Sequence, residues 1–107
     1  MKRNWFYILL ALARGPNYGS AIQEDVRALS DGAVRLWPAT LYGSLEDLLA
    51  EGWLAEAPDH EPEDGRGGRE RFYTLTASGR QALEVEAMRF EGLAAAVRNR
   101  LADAGPA

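Results

Sequence analysis

The side chains best suited to chemistry fall in two short stretches. The first, Pro38–Leu54 (PATLYGSLEDLLAEGWL), sets Thr40, Tyr42 and Ser44 among small residues at the start of a leucine-rich run. The second, Asp64–Thr76 (DGRGGRERFYTLT), gathers Arg66, Arg69 and Arg71 beside three glycines. Hydroxyls and guanidiniums hold phosphate oxygens, which take most protein–DNA hydrogen bonds. Small residues such as Ala39 and Gly43 let a helix backbone come close to base edges. A threonine methyl can touch thymine, and Glu46 can accept from cytosine N4. Acidic neighbours work against this chemistry: Glu46 and Asp47 in the first stretch, and Asp59, Glu61, Glu63 and Asp64 just before the arginines. A solvated helix face and a salt-bridged surface hairpin are the plain alternatives for the two stretches.

Other chemistry has less to stand on. His60 is the one histidine, and it sits in a carboxylate-rich loop that is more readily solvated than metal-binding. With no cysteine there is no thiolate site or disulfide framework. No Ser/His/Asp arrangement, phosphate-binding loop or dinucleotide fingerprint appears. The expectation is a protein that is not an enzyme and needs no metal or cofactor. Trp5, Trp37 and Trp53 read as core residues first. Together with Phe6, Tyr7 and Phe90, they could also line a flat aromatic-binding pocket where two subunits meet.

The elements that must position these residues belong to one domain of 107 residues with 47% hydrophobic content. A net charge of −4 excludes a surface coated in positive charge, so any polyanion site must be local. Lys2 and Arg3 ahead of the apolar run Trp5–Ala13 mimic a secretory signal, but the segment is shorter than most such signals. It is also too short to span a membrane, so it is expected to be retained, in the cytoplasm.

Trp5, Ile8, Leu9 and Leu12 follow helical spacing and predict a helix over Asn4–Ala13. Phe6, Tyr7 and Leu10 fill its other faces, so one side asks for a second chain. Gly15-Pro16 breaks it, and Asn17 is expected to cap a second helix running to about Leu29 on Tyr18, Ile22, Val26 and Leu29. Ala33–Leu36 reads as a small strand. The third helix opens at Pro38, stripes its core side with Leu41, Leu45, Leu48 and Leu49, and ends at Gly52. Trp53–Ala57 and Arg69–Thr76 read as strands of a hairpin, the long polar segment Asp59–Gly68 forming its tip. Alternation puts Tyr73 and Leu75 on one face and Phe72 on the other, leaving one aromatic near the surface or against a partner. Thr76 is placed to cap a last helix reaching about Ala102. Leu83, Ala87, Phe90, Ala94, Val97 and Leu101 alternate spacings of four and three along it, an a/d seam.

Helix, helix, short strand, helix, hairpin, helix is a winged helix-turn-helix order. The expected fold is therefore mainly α with a small β-hairpin: a DNA-binding domain over 1–76 and a C-terminal dimerisation helix over 77–107. In that layout the third helix enters the major groove. The seam, together with Trp5, is the expected dimer interface.

ILLALARGPNYGSAI (Ile8–Ile22), PATLYGSLEDLLAEGWL and RERFYTLTASGR (Arg69–Arg80) together resemble the PadR family of bacterial transcriptional regulators. The resemblance runs from about Ile8 to Leu83 and fits the branch with a single short C-terminal helix. It implies a dimeric winged-helix repressor that binds a palindromic double-stranded operator, in many members released by a small, often aromatic, effector. By resemblance Thr40 and Tyr42 would meet DNA, Tyr18 would lie near phosphate, and Arg66, Arg69 and Arg71 would serve the wing; helical projection adds Gly43 and Ser44 to the expected DNA face. The chain departs from the pattern at Trp37, where a capping serine is usual, at Ala39 and Gly43, at Asp47 and at Glu70. The competing expectation is a winged helix turned protein-interaction module, which the acidic balance and the Glu46–Asp47 pair favour.

Overall fold

A computed structural model describes residues 1–57 and 71–105. Its elements run α1 (Arg3–Ala11), β1 (Asn17–Tyr18), α2 (Gly19–Leu29), α3 (Pro38–Ala50), β2 (Leu54–Glu56), β3 (Phe72–Leu75) and α4 (Ala77–Ala104). The three strands form one antiparallel sheet in the order β1-β3-β2. The helices enclose a core of Ile8, Leu9, Leu12, Ile22, Val26, Leu41, Leu45 and Leu48, with Tyr73 of β3 closing it. These are the residues whose helical spacing the sequence displays, so the winged helix-turn-helix architecture follows from the pattern.

Helix α1 stops two residues short of the expected Ala13. Leu12 and Ala13 donate to Leu9 and Leu10 at 3.1 Å, an i→i+3 tightening that brings Leu12 into the core before Gly15 turns the chain. Helix α3 ends in a Schellman motif. Gly52, at φ +77°, donates to Leu49 at 3.0 Å, and Trp53 donates to Leu48 at 3.1 Å. As the sequence indicated, Trp37 stands at the N-cap of α3 and makes no side-chain cap bond.

Three expectations are corrected. Ala33–Leu36 is not a strand. Val34 and Leu36 do alternate inward, both buried, but the backbone is satisfied by side chains rather than by a ladder. Ser30 Oγ accepts from the Val34 N–H at 2.9 Å, and the Gln23 amide donates to the Leu36 carbonyl. Asn17 does not cap α2. Its side chain accepts from the Tyr18 N–H at 2.9 Å while its backbone pairs with Tyr73, so Tyr18 takes the N-cap position. Finally, neither aromatic of β3 lies at the surface: Phe72 and Tyr73 are both buried. The unforeseen strand β1 lays Tyr18 edge-on against Phe72, ring centroids 5.3 Å apart, and so covers the face expected to be open.

Thr76 opens α4 as expected. Its Oγ1 accepts from the Gly79 N–H at 3.0 Å, and its hydroxyl donates to the Gly52 carbonyl at 2.6 Å. Gly79 presses on the backbone of Trp53, where a Cβ would lie 2.9 Å from the carbonyl carbon and closer still to the oxygen. Further along, Phe90 packs edge-on against Phe6 of α1 at 5.0 Å. Glu86 is buried there, 2.7 Å from Arg89 Nε and 3.5 Å from the Met1 ammonium. The Arg89 guanidinium hydrogen-bonded to Glu86 holds its carboxyl below the usual range. Beyond this point α4 leaves the domain, which gives the molecule extents of 58 × 27 × 23 Å.

Candidate nucleic-acid interface

Burying Leu41, Leu45 and Leu48 turns the opposite side of α3 outward. Ala39, Thr40, Tyr42, Gly43, Glu46 and Asp47 are all exposed, as helical projection requires. Gly43 has open space around it, so the helix backbone is accessible at that point. Ser44 is half-buried. It faces the N-terminal segment across a hollow of about 350 Å³ lined by Lys2, Arg3, Asn4, Trp5, Ser44 and Asp47. This placement supplies two cations beside Asp47, the position where the sequence lacked one. No sequence pattern marks Lys2 and Arg3 for this role, because only the packing of α1 on α3 brings them there.

Tyr42 is less free than its 50% exposure implies. Its hydroxyl lies over Gly19 so closely that a Cβ there would sit 2.5 Å away. The first turn of α2, with Tyr18 at its N-cap and Gly19 buried behind it, therefore forms a shelf for the Tyr42 ring. Tyr18, Tyr42 and the open face of α3 meet at this corner. The hydrophobic contact between Tyr18 and Phe72 ties the corner to β3 and so to the wing.

In the wing, Arg71 is exposed and its Nε lies 3.5 Å from Glu56 Oε1. Side chains this open gain little from pairing, so the guanidinium remains available to a stronger anion. Arg71 also hydrogen-bonds Tyr73, but burial outweighs it and pushes that phenol up from its ordinary pKa. Arg66, Arg69 and the acidic loop with His60 lie outside the described residues. Among the described residues no cluster of His, Asp and Glu could hold a metal ion, and no helix is long and apolar enough to cross a membrane.

The expected aromatic cluster divides. Trp5 and Trp53 pack edge-on at 5.7 Å, and Phe6 joins Tyr7 and Phe90. Trp37 stands apart, 63% exposed and in cation–π contact with Arg35. The expected seam also divides. Leu83 packs partly on its own domain, while Phe90, Val97 and Leu101 are 43%, 57% and 68% exposed, and Ala87 and Ala94 are exposed beside them. Leu93, 50% exposed, flanks this stripe and was not anticipated.

The family model described as "Transcriptional regulator PadR-like family" matches residues 8–85. The chain belongs to the PadR-like family of transcriptional regulators. It is thus a regulator rather than an enzyme, as expected. A curated relative, an uncharacterized 37.1 kDa protein in transposon TN4556 of Streptomyces fradiae, is 38% identical over 80 residues, 75% of this chain. The match spans only 21% of that relative's length. The fold is similar to a PadR family transcription regulator from hypervirulent Clostridium difficile, at TM-score 0.72 and 20% identity over 89% of this chain and 94% of that one. It is also similar to Bacillus subtilis PadR in complex with operator DNA, at TM-score 0.66 and 23% identity over 80% of this chain and 47% of that one.

Proposed function

We propose that this PadR-like protein is a homodimeric, sequence-specific DNA-binding repressor that lays α3 of each subunit in a major groove. The observation that carries the reading is the outward face of α3. Small residues and hydroxyls stand there over a fully buried leucine stripe, and Lys2 and Arg3 at the start of α1 flank them. Such a face can approach base edges through Ala39 and Gly43 and hold phosphate through Thr40, Ser44, Lys2 and Arg3. The solved complex of B. subtilis PadR with operator DNA supports the reading by likeness of fold.

The apolar stripe of α4 supports dimerisation. A helix that leaves its domain exposing Phe90, Leu93, Val97 and Leu101 within one narrow sector is built for a second helix. Two-fold symmetry would present two α3 helices to half-sites one helical turn apart, ~10 bp, or a small multiple of it. A small aromatic effector is part of the proposal. A groove of about 470 Å³ bounded by Met1, Trp53, Ser78, Gln81, Ala82, Val85 and Glu86 lies where α1 meets α4. A ligand there would act on the helix that joins the subunits.

Mobility shifts on the promoter of the protein's own gene, run across a salt series, test the reading. Affinity should fall steeply with salt, with a log–log slope of about −0.9 per phosphate contact. Flat salt dependence, or no retention on heparin even at low salt, would favour the protein-interaction module instead.

A further inference from the structure

Trp37 has no role in the site described above, yet it is the largest exposed aromatic beside it. Its surroundings form a concave pocket of about 370 Å³, lined by Ser20, Gln23, Glu24, Arg27, Arg35, Leu36 and Trp37. One wall is the outer face of α2, where Ser20, Glu24 and Arg27 recur at helical spacing. The other wall is the α2–α3 connection, pinned by the Gln23 amide on the Leu36 carbonyl. The Arg35 guanidinium lies over the Trp37 ring in a cation–π contact, 5.4 Å from its centroid. Among the described residues neither Arg27 nor Arg35 takes part in an ion pair. Two unneutralised guanidiniums against one carboxylate leave the pocket cationic, in a chain whose net charge is −4.

The pocket adjoins the first turn of α3. Trp37 is the residue before Pro38, and Ala39 and Thr40 are exposed just beyond. Ser20 follows Gly19, the residue that carries the Tyr42 ring. A duplex engaged by α3 would therefore run its sugar–phosphate strand past this pocket. We infer that Arg35, Trp37 and Arg27 form a backbone grip for double-stranded DNA, flanking the base-reading face of α3. The inference rests on the DNA-binding reading above and adds contacts that it does not include. Arg35 and Arg27 take phosphate oxygens, and Trp37 packs its ring against deoxyribose while keeping the Arg35 guanidinium beside the phosphate path. The ring thereby occupies the position of the missing side-chain cap with a contact to the ligand. Glu24 opposes the grip.

The test uses the full chain and a fluorescein-labelled duplex carrying the promoter of its own gene, with anisotropy read across a salt series. Arg35→Ala and Arg27→Ala should each weaken binding about tenfold at low salt and flatten the slope by about one. The loss should be equal on specific and scrambled duplexes, because phosphate contacts carry no sequence information. Glu24→Gln should strengthen binding. Addition of duplex should quench tryptophan emission clearly less in Trp37→Phe than in the wild type, the remainder coming from Trp5 beside Lys2 and Arg3; equal quenching in the two would count against the Trp37 contact. Thermal unfolding should match wild type in all four variants. If the wild type binds with a steep salt slope while Arg35→Ala and Arg27→Ala bind identically to it, the grip is wrong and the α3 reading stands. If the wild type binds no duplex at all, both fall.

Discussion

Alanine at Gly79 and alanine at Gly92 are the same chemical change in the same helix, and the structure assigns them opposite signs. At Gly79 the added methyl meets backbone, the carbonyl of Trp53, well inside any contact real Cβ atoms make. Backbone cannot swing aside, so the start of α4 must retreat from β2 by the order of an ångström. That movement pulls on the Thr76 N–H to Trp53 carbonyl bond at 3.1 Å and on the Thr76 hydroxyl at the Gly52 carbonyl. Overpacking of this kind costs about 1–3 kcal/mol, and a weakened cap adds ~1 kcal/mol. The sum, ~2–4 kcal/mol, is offset only in part by alanine's better helix propensity, ~1 kcal/mol. A domain of this size loses roughly 4–8 °C of Tm per kcal/mol, so Gly79→Ala should melt about 5–20 °C lower. Gly92 has nothing within 4 Å of its would-be Cβ and lies opposite the exposed apolar stripe. Gly92→Ala should therefore gain about 0.5–1 kcal/mol, or a few degrees. Scanning calorimetry of the three proteins at one fixed concentration decides the matter, since association also moves Tm. A Gly79→Ala protein melting within about 2 °C of wild type would refute the close approach of α4 to β2.

Three further outcomes follow from other contacts. Val97→Asp places a charge in the centre of the Phe90–Leu101 stripe, where burying each half-exposed side chain contributes about 1 kcal/mol; if the proposed dimer forms through this stripe, light scattering should find the variant monomeric at concentrations where the wild type associates. Gly19→Ala displaces the Tyr42 ring at little cost to folding, since the ring tip can swing away, so operator affinity should drop by about 1 kcal/mol or more with Tm nearly unchanged. The carboxyl of Glu86 is held down by Arg89, so its stabilisation is complete above its unfolded pKa and fades as pH falls through the lower folded value; the Tm gap between wild type and Glu86→Gln should shrink below about pH 4.

The helices were legible because their apolar spacing is set by the core they bury. Leu41, Leu45 and Leu48 leave α3 one orientation, and that fixes Thr40, Tyr42 and Gly43 outward without further information. Where burial and hydrogen bonding part company, the sequence misled. Val34 and Leu36 alternate like a strand, yet Ser30 and Gln23 take the place of a neighbouring strand. Asn17 has the type of a cap but is drawn into a two-residue ladder with β3, a pairing 56 positions away along the chain that no local pattern encodes. The same holds for the cations near α3. Lys2, Arg3, Arg27 and Arg35 come from three separate segments, and only tertiary packing gathers them around one helix.

The hydroxyl of Thr76 donates back to the carbonyl of Gly52, the residue that ends α3, while its oxygen accepts from the Gly79 N–H and so starts α4. One side chain is thus shared by the end of α3 and the start of a rod of about 42 Å. A tilt of about 5° at that joint swings the rod's far end by roughly 4 Å, a shift comparable to one base-pair step. On the proposed DNA-binding reading, a bend of the rod near its base would pull on the C-terminal turn of α3 and change the spacing that two subunits present to a duplex.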